Sequence, residues 1–256
     1  MLPHHLQARF FKAPRLLFIF SFLAWMQTVA TGAPEIREID GVKYHVLITT
    51  PESIRLVWKS KDGQPLRLFS AAAEHLEAEG HRVLTLMNGG IFEPGGIPSG
   101  LLVVDGKEER PVNRAAGKGN FFLQPNGIFF INDRGAGVRR TDEWPPADTR
   151  VNWAVQSGPL LLHADRVHPA FNAASANRLH RNGVGVDKAG EVVLLMSDGN
   201  SPKFPNLHEF AMAFRHLGCA DALFLDGDIS QMRSGGDLRR LCNRFGSMIA
   251  VVEKKE

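Results

Sequence analysis

Apolar residues in this chain come in short runs that glycine, proline, asparagine or aspartate repeatedly cuts off, and that punctuation constrains the fold more than any other feature. Short, turn-bounded runs of this kind read as strands. They cover Lys43 to Thr49, Ile54 to Trp58, Val83 to Met87, Leu101 to Val104, Asn120 to Leu123, Gly127 to Ile131, Trp153 to Gln156, Leu160 to Leu162, Gly183 to Val186, Val192 to Met196, Ala222 to Leu225 and Ser247 to Val252. Helical spacing occurs twice. Phe69 to Glu79 is Ala-rich and closes at Gly80. Leu207, Phe210, Ala211, Phe214 and Leu217 recur at helical intervals behind Asn206 as N-cap and Glu209 as the other half of a capping box, and Gly218 supplies the left-handed stop. Many strands and two helices do not alternate as a doubly wound sheet requires. The chain is therefore read as α+β, a single domain with a mixed or antiparallel sheet and few flanking helices.

Residues 1–30 carry Arg9, Lys12 and Arg15 and no acid, then the nearly all-apolar Leu16 to Trp25 and the small residues around Ala30. That is the pattern of a cleavable secretory leader. Its apolar core is about half of the ~20 residues a bilayer crossing takes. The expectation is a secreted or periplasmic protein, residues 31–256, with no stable membrane span after leader cleavage. The leader also holds the whole excess of bases, 30 Lys and Arg against 27 Asp and Glu. A balanced chain without runs of like charge gives no case for a nucleic-acid partner. Cys219 and Cys242 are too few for a disulfide scaffold; in an oxidising compartment they either pair or pack as small apolar residues.

Polar clusters sit where the strands end. Asp226, Gly227, Asp228 and Ser230 follow one buried run, Asp198 and Gly199 follow another, and Asn88-Gly89-Gly90 follows a third. Ser157-Gly158-Pro159 lies between two more, outside any nucleophile-elbow pattern, so Ser157 is assigned hydrogen bonding and not attack. Arg178, Arg181 and Asn182 precede a hairpin whose turn holds Asp187. A scaffold that ends strands in amides, carboxylates and a guanidinium can grip an anionic or hydroxylated ligand. Each cluster also has a plain reading, since Asn-Gly and Asp-Gly pairs commonly only turn the chain and a loop arginine commonly only pairs at the surface.

Four motifs in order favour the ligand-binding reading: MNGGIF (Met87 to Phe92), QSGPLL (Gln156 to Leu161), Arg178 with RNGVGVD (Arg181 to Asp187), and Asp198-Gly199 followed by a helix, Leu217-Gly218-Cys219 and Ala222-Leu-Phe-Leu-Asp226-Gly-Asp-Ile-Ser230. Over Val83 to Ser230 the chain resembles the phosphodiester glycosidases, in particular a secreted bacterial branch. The resemblance implies a hydrolase that cleaves the glycosidic bond of a sugar-1-phosphodiester, a small molecule or an envelope glycan. It implies Asp226 as the carboxylate facing the anomeric carbon, Arg178 on the phosphate and Asp198 as second carboxylate. Asn88, Gly89, Ser157, Gly158, Asn182, Gly227 and Ser230 become substrate-binding positions. Where many relatives have Asp-Gly-Gly-Gly-Ser and Asp-Gly-Arg, this chain has Asp226-Gly-Asp228-Ile-Ser230 and Asp198-Gly-Asn200. Those changes add a carboxylate and remove a cation. No cofactor is required, but Asp226 and Asp228 leave room for a divalent cation. Two other classes stay open: a metal-dependent phosphodiesterase using Asp226, Asp228, Asp198 and His208, and a non-catalytic envelope glycan-binding module.

Overall fold

The structure is a computed structural model that describes residues 32–147 and 150–255. The leader assigned to residues 1–30 lies outside the described residues. No described helix is long and apolar enough to cross a membrane.

Three antiparallel sheets share one core. In the first, seven strands lie in the order Glu35–Ile39, Val42–Thr49, Val192–Ser197, Asn182–Asp187, Cys219–Asp226, Leu160–His163 and Arg166–Val167. The second, of four, runs Met232–Ser234, His81–Asn88, Met248–Lys254, Ile54–Val57. The third, of five, runs Gly135–Arg140, Gly127–Asn132, Val151–Ser157, Leu102–Val104, Lys107–Arg110. Leu194, Val184 and Leu223 of the first meet Ile249, Met87 and Leu56 of the second and Phe129 and Val155 of the third. The described residues thus form the single α+β domain expected from sequence, with all its paired strands antiparallel.

Two helices cover the outer faces. Helix α1 (Phe69–Ala78) lays Phe69, Ala72, Ala73 and Leu76 on the four-stranded sheet. Helix α2 (Leu207–His216) lays Phe210, Ala211 and Phe214 on the seven-stranded one. This explains why residues 192–196 are apolar throughout: Val192, Leu194 and Met196 point into the shared core while Val193 and Leu195 point to α2. Each such fully buried side chain contributes about 1.5–3 kcal/mol. Gly185 makes the close approach of α2 feasible, because a Cβ there would stand 2.8 Å from both the Phe214 ring and Cys219 Sγ.

The start of α2 follows the sequence expectation in atomic detail. Asn206 Oδ1 accepts the Glu209 N–H at 2.9 Å and Glu209 Oε2 accepts the Asn206 N–H at 3.1 Å, closing the capping box. Gly218, at φ +87°, ends the helix in the left-handed region. One expected strand is corrected. Asn120–Phe122 is a 3-10 turn in which Phe121 plugs the core, because the flanking Gly119 and the Pro125-Asn126 turn leave too little extended chain to pair. The cysteines are both free, Cys219 under α2 and Cys242 beside α1.

Candidate active site

Strand pairing brings three of the expected residues together. Asn182 opens its strand opposite Asp226, which ends the neighbouring one. Asn88 ends its strand in the four-stranded sheet and reaches across to both. The Asn182 amide donates to the Asn88 carbonyl at 2.8 Å and to Asn88 Oδ1 at 3.1 Å. Asn88 Oδ1 also accepts the Gln231 N–H at 2.8 Å. A backbone N–H can only donate, so the oxygen of Asn88 is fixed on that side and its NH2 is turned toward Asp226, 3.4 Å from Oδ2. Ser230 donates its hydroxyl to Asn182 Oδ1 at 3.1 Å. Asn88, Asn182 and Ser230 are all buried, and each hydrogen bond in the set constrains the next.

Asp226 sits at the edge of this network, half-buried, with Oδ1 accepting the Gly227 N–H at 2.8 Å. Burial pushes its carboxyl up to about 6, the neighbouring Asp228 adds to that, and the Gly227 and Asn88 donors pull it back only partly. None of the groups that shift it is a cation. Asp228 itself is exposed.

Gly89 and Gly90 are needed where they stand. A Cβ on Gly89 would fall 2.9 Å from the Ser247 carbonyl oxygen, and one on Gly90 would fall 2.7 Å from that of Gln156. Ser157 is buried and its hydroxyl is spent on structure, donating to the Leu225 carbonyl at 2.9 Å and accepting the Ile91 N–H at 3.3 Å. It thereby ties the residue before Asp226 to the loop after Asn-Gly-Gly. Gly158 packs against Asn126 and the Phe121 carbonyl.

Arg178 goes elsewhere. Its guanidinium grips both carboxylate oxygens of Glu209, with Nη2 at 2.9 Å from Oε1, and donates to the Phe204 carbonyl at 3.1 Å. Glu209 is the capping-box residue, so the contact fastens the 172–178 loop to the start of α2, where Asn206 also donates to the carbonyls of Ala173 and Ser175 at 3.0 Å. Among the described residues no hydrogen bond joins Arg178 to the Asn88–Asp226 network. Its neighbour Arg181 is fully buried instead, donating to the carbonyls of Pro205 (3.2 Å) and Asn177 (3.1 Å) with its guanidinium 5.7 Å over the Phe224 ring. Burial brings Arg181 down to about 10, so it stays charged at neutral pH, and Asp228 is the first group that opposes the shift.

Asp198 is buried 3.6 Å from His45 Nε2 and accepts the Asn200 N–H at 2.9 Å. Between it and the Asp226 loop stand two residues that sequence reasoning passes over, His180 and Ser197. Ser197 Oγ lies 2.9 Å from His180 Nδ1, and His180 Nε2 lies 3.0 Å from the Ser230 carbonyl. The available signal was their position, a serine and a histidine abutting strands that have no exposed residue to spare. Among the described residues no three His, Cys, Asp or Glu side chains converge as metal ligands would. Asp226 and Asp228 remain a pair, and His208 lines a separate cleft of about 130 Å³ with Phe171 and Asn177. A cavity of about 690 Å³ lined by Arg55, Trp58, His75 and Trp153 contains no part of the network.

The phosphodiester glycosidase family model matches residues 81–245. The uncharacterized protein YigE of Escherichia coli K12 is 31% identical over 248 residues, 96% of this chain and 93% of that protein. Among solved structures, the zebrafish N-acetylglucosamine-1-phosphodiester alpha-N-acetylglucosaminidase catalytic domain, auto-inhibited by its pro-peptide, matches with TM-score 0.61 at 17% identity, over 86% of this chain and 82% of that one. A hypothetical protein from Synechocystis matches with TM-score 0.53 at 15% identity, over 86% and 61%. Those two likenesses speak for the fold; the family match spans the strand ends that carry Asn88, Asn182 and Asp226, and the chain belongs to the phosphodiester glycosidase family.

Proposed function

We propose that the protein hydrolyses the glycosidic bond of a sugar-1-phosphodiester, with Asp226 as the working carboxylate. The observation that carries the reading is a half-buried carboxylate at the junction of two sheets, oriented by Asn88 and Gly227, with its proton affinity raised to about 6. At pH 7 about nine-tenths of such a group is ionised, yet it is basic enough to take a proton from water or to attack carbon. The leaving phosphomonoester needs little protonation because its second pKa is about 6. Bond breaking between the anomeric carbon and the phosphate oxygen sends the electron pair to phosphate, and water supplies the oxygen that ends on the sugar. Asp198 and Asp228 add acceptors for sugar hydroxyls. Arg178 holds the 172–178 loop and not the phosphate, because its guanidinium is committed to Glu209. The protein works outside the cytoplasm, on the strength of the leader pattern in residues 1–30.

Hydrolysis of a panel of sugar-1-phosphodiesters by residues 31–256 in heavy-oxygen water tests this. Label in the released sugar is the expected result. Label in phosphate with chelator-sensitive turnover would instead indicate a metal phosphodiesterase. Binding of glycan that survives Asp226→Asn without product release would indicate a binding module.

A further inference from the structure

His180 is held at both ring nitrogens. The Ser230 carbonyl can only accept, so Nε2 carries the proton and donates to it at 3.0 Å. In the neutral ring Nδ1 is then an acceptor, and Ser197 donates its hydroxyl there at 2.9 Å. The oxygen of Ser197 in turn accepts the Arg181 N–H at 3.0 Å, and its hydroxyl has the Arg181 carbonyl as a second, longer acceptor at 3.4 Å. Burial keeps the ring neutral, against the opposing pull of the Ser230 carbonyl and of Asp228 and Asp198, while His45 reinforces the shift.

Ser230 belongs to a tight turn, its N–H donating to the Gly227 carbonyl at 2.8 Å. That turn starts next to Asp226 and delivers two groups back to the network, the Ser230 hydroxyl to Asn182 and the Gln231 N–H to Asn88. The turn has no regular secondary structure from Gly227 to Gln231 to hold it, and His180 reaches it from another part of the chain. We propose that His180 is a positioning residue for the reaction: bridging Ser197 to the Ser230 carbonyl, it locks the 227–231 turn in the register in which Ser230 and Gln231 orient Asn182 and Asn88 beneath Asp226. With both nitrogens engaged it exchanges no proton with substrate, and it acts through Asn88. A rigid ring with a donor at one end and an acceptor at the other is what the two fixed partners demand.

The inference rests on the glycosidase reading for its kinetic consequence and on the hydrogen bonds alone for its structural one, so two readouts are needed. The first is kcat and KM of His180→Ala and His180→Gln on the sugar-1-phosphodiester panel. The second is the titration of the Asp226 carboxyl, followed by carbon-13 NMR of aspartate-labelled protein and assigned with Asp226→Asn. For His180→Ala the expected result is a kcat loss of roughly 10- to 100-fold with KM changed less than about threefold. Its Asp226 midpoint moves further up, away from the ordinary carboxylate value, because the Asn88 NH2 that pulls the carboxyl down loses its place. His180→Gln, which keeps one N–H for the Ser230 carbonyl, recovers part of both. An unchanged Asp226 midpoint in His180→Ala, whatever its melting temperature, would overturn the inference. If the alanine variant does not fold, His180→Gln and Ser197→Ala decide by the same midpoint. No turnover by the unsubstituted protein counts against the glycosidase reading, and the midpoint still decides on His180.

Discussion

A half-buried carboxylate proposed to react also works against the fold, and Asp226 allows the two to be tested separately. Its folded-state proton affinity corresponds to about 6 and its ordinary value to 3.8, so between those values the folded protein binds the proton more tightly than the unfolded chain. Stability contributed by the neutral carboxyl is therefore present below pH 4 and lost as the pH rises through 6. The shift of about two units is worth at most ~3 kcal/mol, and partial solvent access reduces it to the order of 1–2. Asp226→Asn removes the charge while keeping the shape. It should be more stable than the parent at pH 7.5 by about that amount in urea titrations, with the advantage gone at pH 4, and its turnover should fall by roughly a thousandfold or more. A variant that loses activity and stability together at pH 7.5 would mean that the carboxylate is structural.

At the scale of elements, the start of α2 shows which contacts hold and which are decoration. Asn206 satisfies the Glu209 N–H and the carbonyls of Ala173 and Ser175 from a fully buried position, so Asn206→Ala should cost about 2 kcal/mol, more than an ordinary cap. The Arg178–Glu209 pair is partly exposed, and Arg178→Ala should cost less than about 1 kcal/mol and leave KM for a phosphodiester within roughly threefold. A KM rise of a hundredfold would restore Arg178 to the phosphate. This helix was also the most legible part of the sequence, because the capping box, the apolar spacing and Gly218 are all local signals. The Gly183 to Val186 and Val192 to Met196 hairpin was legible for the same reason. Glu35–Ile39 and Gly135–Arg140 pair with the strands beside them in sequence, across Asp40-Gly41 and Asp133-Arg134, but as edge strands they lack the clean apolar face that would mark them. What else stayed hidden was non-local. Asn88, Asn182 and Asp226 could be named from motifs, but that the first two bond each other depends on two sheets meeting. Arg178 and Arg181 lie three positions apart, and choosing between them required knowing that Glu209 waits for one and the Phe224 face for the other.

The whole molecule is a set of layers, and the two cysteines fall in different ones. Cys219 packs between the seven-stranded sheet and α2, touching the space that Gly185 vacates. Cys242 lies on the opposite flank, beside α1, where its sulfur accepts the Phe69 N–H at 3.4 Å. With the shared core of three sheets between those flanks, no local adjustment brings the sulfurs to the ~2 Å of a disulfide. The domain therefore has to stand on apolar burial in an oxidising compartment as much as in a reducing one, which its size permits. Reductant should leave the midpoint of thermal unfolding unchanged. Burial pushes the Cys219 thiol up to about 12 and removes it from solvent, so it should react with an aromatic disulfide reagent only at the rate of unfolding. Cys242, partly exposed, should react first and alone in the native protein. Simultaneous modification of both thiols under native conditions would show that α2 lifts from its sheet, and the same opening would unseat Arg181 from Phe224 and with it the loop that carries His180.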